Sequence, residues 1–369
     1  MNGINYFGSR KTLLIIVTFN SYGLLPGMVD TVREFVTDHP GNHVIIVENS
    51  SDQRVESFIA AKLTSERIVV KVASVNEGFS PGVNYGYEIA QDLWGGFDFI
   101  VLLNPDVLTA GRTVSELVNR AAQNSEVGVG IWGAVLVNER GSIDAGCARR
   151  ALNRRRYFSS FLLGYPNFAK LMFTSPLGLT EIEIRNNQSE LKMISGALMC
   201  IRASVFGSGL DTRLPMYLED QEICLRCSNQ GYAVRVFPDL RSVHVGGLST
   251  QSNSGDKPAL QIMSGVEAPL LLMSLFQGYG RLWMRPAVFL GGASRFFSAP
   301  MLAAFRILIR KSIAREQYDW MAGQLRLGRS FILWALTRNL HNEEVSLKDY
   351  FQEYSTVKRQ WFWPFSKRD

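Results

Sequence analysis

Only four cysteines occur in the 369-residue chain, Cys147, Cys200, Cys224 and Cys227. They are too few and too scattered for the disulfide framework of a small secreted scaffold. Cys224 and Cys227 form a Cys-x-x-Cys pair, but no second pair exists to complete a zinc site, and the stretch reads as helix. Structural thiols in a reducing, cytosolic setting are the expectation. Histidine is equally scarce, at four residues. The opening MNGINYFGSRKT has no apolar run of the ~7–15 residues that a secretion signal needs, and leads straight into a strand-like segment. With 46% hydrophobic and 20% charged residues, the composition is globular and has room for roughly two domains at ~150 residues each.

Short apolar, β-branched-rich runs at 13–18, 43–48, 67–73 and 98–103 alternate with helix-compatible stretches near 24–37, 52–64 and 81–94. Such runs suit parallel strands buried on both faces, and the alternation predicts a doubly wound α/β domain. Ligands then bind beyond the carboxyl ends of the strands. Those ends read Phe19-Asn20-Ser21, Asn49-Ser50-Ser51, Asn76-Glu77-Gly78-Phe79 and Asn104-Pro105-Asp106. Each carries an Asn, either as an ordinary turn residue or as a hydrogen-bonding group gathered on one rim. Further along, 128–137 reads as another buried strand, 191–203 as a strand, 219–229 as a helix and 233–237 as a strand, with 238–247 closing the domain as a loop or short strand. The span 145–190, with Arg149, Arg150, Arg154, Arg155 and Arg156, reads as a partly mobile insertion.

The net charge of +6 is unevenly placed: from residue 251 onward there are 16 Lys/Arg against 9 Asp/Glu. Residues 268–315 hold seven Lys/Arg and no acid, interleaved with Leu, Phe, Trp and Met. No charge-free stretch there reaches the ~18 residues of a spanning helix. A basic amphipathic segment of this kind suits an anionic membrane surface, the alternative being a helical subdomain packed on the rest of the chain or on a second copy.

Two acidic motifs carry the candidate chemistry. In Asn104-Pro105-Asp106 the proline fixes the backbone and leaves a carboxylate past the sheet edge, suited to Mg²⁺ or Mn²⁺, which prefer oxygen ligands and bridge diphosphate oxygens. In Met216-Tyr217-Leu218-Glu219-Asp220-Gln221-Glu222, three acids open a helix, more than one capping role explains.

The ordered set VTFNS, VENSS, NEGFSPGVNYG, LLNPDV, ISGALMCIR, MYLEDQEICLR and VHVGG resembles the family-2 glycosyltransferases of the GT-A fold, in particular their bacterial rhamnosyltransferase-like branch, over about residues 12–250. The resemblance implies a GT-A catalytic domain over 1–257, followed by a basic helical region over 258–369. It implies transfer of a sugar from a nucleotide diphosphate donor with inversion. Thr18, Phe19, Asn20, Glu48 and Asn49 would surround the nucleoside, Glu48 standing where the family more often has Asp. Asn76, Gly78, Phe79, Gly82 and Asn84 would take the base and phosphate side. Asp106 would be the direct ligand of Mg²⁺ or Mn²⁺, with Asn104 in place of the first acid of the Asp-x-Asp motif and acting beside the ribose. His244 would bind the metal or diphosphate. Asp220 would be the base, and Glu219 would orient the acceptor or hold Asp220 in place; Ser195, Gly196 and Ala197 would line the sugar pocket. Arg226 would either contact the diphosphate or pair with Glu222 one helical turn away.

The resulting expectation is an inverting, metal-dependent glycosyltransferase on the cytoplasmic face of a bacterial membrane. Its donor is taken as dTDP-rhamnose, another hexosyl or galactofuranosyl donor being the alternative. Its acceptor is a polyprenyl-diphosphate-linked glycan of a cell-surface polysaccharide, whose diphosphate the 149–156 cluster would meet. A homo-oligomer stays open. A nucleotidyltransferase would place a basic glycine-rich loop after the first strand, and VTFNSYGLL has no Lys or Arg. A binding or scaffold protein without activity would have a broken acidic motif, and Glu219 and Asp220 are both present. Nucleic acid is not expected as a partner, because the basic residues fall in an apolar helical region.

Overall fold

The computed structural model describes residues 10–19, 21–49, 53–63, 65–123, 128–144, 146–151, 178–186, 188–245, 268–277, 285–310 and a few positions between 325 and 336. These fall into two compact units, one up to Ala151 and from Gly178 to Val245, the other from Ala268 onward. The expected ligand Asn20, the arginines 154–156 and much of 258–369 lie outside the described residues.

The first unit is built on strands whose apolar runs are buried on both faces. Strands β1 (Thr12–Thr18) and β2 (Asn42–Glu48) are buried at every position. Between them α1 (Leu25–Asp38) lays Leu25, Met28, Val29, Val32, Phe35 and Val36 on one face, the helical spacing of an amphipathic element. Then follow α2 (Gln53–Lys62), β3 (Ile68–Val72), α3 (Phe79–Trp94), β4 (Phe99–Leu103), β5 (Val107–Leu108), α4 (Gly111–Gln123) and β6 (Val129–Val137). After these come β7 (Ala148–Arg149), α5 (Glu181–Asn186), β8 (Met193–Ile194), β9 (Leu198–Arg202), α6 (Ala203–Phe206), α7 (Glu219–Asn229) and β10 (Ala233–His244).

Eight strands form one sheet in the order β3-β2-β1-β4-β9-β6-β10-β5. Its first four strands run parallel, β10 runs parallel to β6, and β9 is antiparallel to both β4 and β6. The chain leaves β1 for β2 on one side and reaches β4 on the other, so β1/β4 is the topological switch point beyond which a ligand crevice opens. The single strand expected over 191–203 is interrupted at Ser195–Ala197, giving β8 and β9. Of the span expected over 238–247 as a loop or short strand, residues 238–244 form the second half of β10, whose register shifts between Phe237 and Arg241, where Pro238 cannot donate to the ladder. The described parts of 145–190 include β7, α5 and a 3-10 turn at Gln188–Glu190. β7 pairs with β8, the Leu179 N–H donates to the Ala148 carbonyl, and the buried Arg150 is ion-paired with Glu183.

In the second unit α8 (Ala268–Gln277) buries Ala268 and Leu270 to Met273, and α9 (Arg285–Arg310) contains Pro300. A Cβ on Gly292 would lie 2.8 Å from the Gly328 carbonyl oxygen, so two backbones meet at small residues. Arg295 stands 5.1 Å over the Phe331 ring. Among the described residues no helix is long and apolar enough to cross a membrane.

Candidate active site

The carboxyl ends of β1 and β2 are clamped together. Thr18 and Glu48 are register partners, both buried, and the Thr18 hydroxyl donates to Glu48 Oε2 at 2.6 Å. The Asn49 N–H donates to the Thr18 carbonyl at 2.7 Å, and its side-chain amide donates to the Gly78 carbonyl at 2.8 Å. Phe19 follows, half-buried, with its carbonyl accepting from the Ser21 hydroxyl. Asn76 in turn accepts from the Gly78 N–H at 3.0 Å. Gly78 has φ 114°, and a Cβ there would collide with the Pro215 carbonyl oxygen. Phe79 then opens α3, and Ser80 binds the segment ahead of α7 by donating to the Leu214 and Pro215 carbonyls.

Two residues expected at the donor also brace the scaffold. Gly82 lies within 3.1 Å of Val17 Cγ1 and 3.2 Å of Asn49 Nδ2, measured from where its Cβ would be, which lets α3 sit close on β1. Asn84 bonds both the N–H and the carbonyl of Leu210. A third, Arg226, donates to the Phe206 and Gly209 carbonyls and pairs with the buried Glu222 at 3.2 Å. Its guanidinium thus holds the turn after α6, the pairing with Glu222 that the helical spacing already allowed.

Beyond the switch point a second set converges. Pairing of Leu103 with Leu198 brings 104 beside 197, and the Asn104 N–H donates to the Ala197 carbonyl. Next door the Gly196 N–H donates to Asp220 Oδ2 at 3.3 Å, and Ala197 N–H to the Ser195 hydroxyl. A Cβ on Gly196 would stand 3.3 Å from Asp220 Cβ, so the glycine leaves the carboxylate its room. Tyr217 and Leu218, with φ 69° and 65°, are consecutive non-glycine residues in the left-handed region immediately before Glu219. Each costs on the order of 1 kcal/mol, the kind of backbone strain that persists where the surroundings fix it. Glu219 Oε2 is buried without a hydrogen-bond partner. Burial first, and the adjacent Asp220 charge second, push the Glu219 carboxyl up to about 8.

Asp106 and His244 meet because β5 runs antiparallel to the end of β10, placing His244 opposite Val107. His244 Nε2 lies 3.5 Å from Asp106 Oδ1, and its Nδ1 lies 2.7 Å from Asp144 Oδ2. The two carboxylates raise His244 to about 9, and the hydrogen bond to His244 lowers Asp144. Asp144 was missed in the sequence. The signal present is the turn Asn138 to Gly141: Asn138 Oδ1 accepts from the Arg140 and Ser142 N–H groups, Gly141 has φ 76°, and Val137 bridges Ile143. That hairpin returns the chain to the end of β6, beside β10. Arg149 faces the same acids: its Nη2 and Asp144 Oδ1 lie 2.8 and 3.2 Å from the point a Gly146 Cβ would occupy.

Buried acceptors test the fit to a divalent cation. Asn104 Oδ1 and Asp106 Oδ1 are both buried without a hydrogen-bond partner, although Asp106 Oδ1 has the His244 ring at ion-pair distance. Two hard oxygens left over at one strand end suit Mg²⁺ or Mn²⁺. Among the described residues no cluster of three or more His, Cys, Asp or Glu forms a complete ligand set, so a diphosphate would have to supply the rest. The cysteines are buried and free, with thiols pushed up by burial, to about 11 at Cys147 and Cys227, and serve packing.

Residues 13–178 match the family model described as glycosyl transferase family 2. A mannosyltransferase from Pyrobaculum calidifontis, solved in complex with GDP-Man and Mn²⁺, superposes with a TM-score of 0.52 at 14% identity, covering 89% of this chain and 88% of that one. TarS 1-349 of S. aureus aligns at a TM-score of 0.39 and 13% identity over 94% and 91% of the two chains, too low to bear on the fold. No curated protein sequence matches significantly. The mostly parallel α/β sheet is that of the GT-A fold, and residues 13–178, just under half of the chain, are similar to glycosyl transferase family 2.

Proposed function

We propose that the chain is a metal-dependent, inverting glycosyltransferase that uses Asp220 as its base. The observation that carries this is the convergence of three segments through main-chain bonds. The Asn104 N–H donates to the Ala197 carbonyl and the Gly196 N–H to the Asp220 carboxylate, which supports reading Asn104, Asp106 and the acidic pair at 219–220 as parts of one site. The nucleoside half of the donor would lie over the clamped ends of β1 and β2, near Thr18, Phe19, Glu48, Asn49 and Asn76. Its diphosphate would reach the β1/β4 switch point. Asn104, Asp106 and His244, which would give up its Nε2 proton in doing so, would hold the cation, with Asp144 keeping the His244 Nδ1 proton and fixing the ring, as carboxylates behind metal-bound histidines do. When bound, the cation supplies positive charge to the leaving diphosphate.

The rest is done by the chain. Asp220 accepts the proton of the acceptor hydroxyl; the acceptor oxygen forms a bond to the anomeric carbon. The bond from that carbon to the donor diphosphate breaks on the opposite face, its electron pair leaving with the nucleoside diphosphate. The Gly196 N–H on Asp220 Oδ2 orients the base. Glu219, kept neutral by desolvation of its carboxyl and by the adjacent Asp220 charge, avoids a second negative charge beside it and is free to donate to a substrate oxygen.

The donor sugar we favour is L-rhamnose from dTDP-rhamnose, on the resemblance of the motif set, and the acceptor a lipid-linked glycan at the cytoplasmic face of a membrane. The GT-A likeness to a protein that holds GDP-Man and Mn²⁺ supports a nucleotide sugar and a divalent ion, not the identity of the sugar. Incubating the protein with dTDP-rhamnose, GDP-mannose, UDP-glucose, UDP-N-acetylglucosamine and UDP-galactofuranose, each with a polyprenyl-diphosphate glycan extract, tests it. Product from dTDP-rhamnose with inverted linkage is expected; product from another donor alone replaces the sugar assignment.

A further inference from the structure

The second unit presents an apolar face that the chemistry of the first does not use. Along α9 the exposed positions recur at helical spacing: Pro286, Phe289, Leu290, Phe296, Phe297 and Pro300 fall within about one third of the helix circumference. Phe289 is 38% exposed, Leu290 55%, Phe296 39% and Phe297 67%. The opposite side is spent on packing, with Val288 and Gly292 buried. At the N-terminal end of the stripe an open groove of about 350 Å³, lined by Arg285, Phe289, Leu290 and Leu336 among others, continues the apolar surface, and Leu336 is itself 64% exposed. Four large side chains exposed side by side are more than scattered surface hydrophobics; contiguous patches of this kind mark interfaces.

The charge around the stripe selects its partner. From residue 268 to 315 the sequence has seven Lys/Arg and no acid. A second copy of the same unit would bring a like-charged surface against it. An anionic bilayer brings the opposite charge to the arginines and hydrocarbon to the phenylalanines, the two contributions that bind interfacial helices. We infer that the Phe289/Leu290/Phe296/Phe297 face of α9 inserts shallowly into an anionic membrane surface, with Arg285 at headgroup level. The inference rests on the second unit alone and stands apart from the glycosyl-transfer reading.

The full-length protein, without donor or acceptor, is sedimented with phosphatidylglycerol/phosphatidylcholine vesicles and with phosphatidylcholine vesicles. The L290S/F297S double variant, changed only at exposed positions, is run beside it, with thermal unfolding to show that both are folded. Binding to the anionic vesicles that weakens with salt and falls at least ~10-fold in the variant is the expected result. Absence of binding by the wild type, or equal binding by the variant, overturns it. So does a wild-type dimer in light scattering that L290S/F297S converts to a monomer while vesicle binding is unchanged, since the face is then a subunit interface. Vesicle binding uses no substrate, so its failure leaves the proposed reaction standing.

Discussion

Replacing Glu219 by Gln should make the protein more stable at neutral pH. The carboxyl is raised from 4.5 to about 8 by burial and by Asp220. A folded-state value above the unfolded one means that the folded chain holds a proton the unfolded chain releases. Stability from this group is therefore complete below about pH 4.5, declines as pH rises, and is fully lost above about 8. At 1.36 kcal/mol per pH unit, the cost accumulated by pH 7 is about 3 kcal/mol, and sharing of the proton with Asp220 reduces it to ~1–3 kcal/mol. Glu219→Gln keeps the shape and removes the ionisation. Urea unfolding of wild type and variant at pH 5 and pH 7.5 isolates the effect, because every other titrating group cancels in the difference. The variant should gain ~1–3 kcal/mol over wild type at pH 7.5 and little at pH 5. An equal pH slope in the two proteins would refute the burial argument.

The close approach at Gly78 predicts that Gly78→Ala costs ~2–4 kcal/mol by thermal or urea unfolding. Gly95→Ala, at φ 78° but with nothing within 4 Å, should cost only ~1 kcal/mol. Equal losses would mean that the Pro215 contact is unimportant. Asp144→Asn should lower Mn²⁺ affinity, read by electron paramagnetic resonance in the presence of nucleoside diphosphate, by ~10–100-fold, with partial recovery in Asp144→Glu. Unchanged affinity would detach Asp144 from the site. Arg226→Met should lower stability by ~3 kcal/mol or more, because Glu222 is left buried and unpaired. It should leave the KM for the donor unchanged, and a raised KM would return Arg226 to the diphosphate.

The local motifs were legible because each lies in one stretch of chain: strand runs, the helix at 219–229 and the acids at its start are all read from neighbours in sequence. Strand direction was not. A run buried on both faces has no period that distinguishes parallel from antiparallel, so β9 gave no sign of reversing. The asparagines at the strand ends divided for a reason visible only in three dimensions. Asn49 donates to the Gly78 carbonyl 29 residues on and Asn76 accepts from the Gly78 N–H in a local turn, whereas Asn104 Oδ1 is left over. Asp144 and His244 are 100 residues apart, and only the β6–β10 pairing and the 138–141 turn bring them together. Arg226 makes the pairing with Glu222 that helical spacing allows, and a buried Glu222 requires a cation.

The account stands most directly on donor turnover by the wild type and by Asp220→Asn, measured as nucleoside diphosphate released from a panel of nucleotide sugars with Mg²⁺ or Mn²⁺ and a lipid-linked acceptor extract. It predicts release from one donor, abolished by chelation, and reduced at least ~100-fold in Asp220→Asn, with donor binding retained. Full activity in Asp220→Asn would contradict it, as would turnover indifferent to the metal.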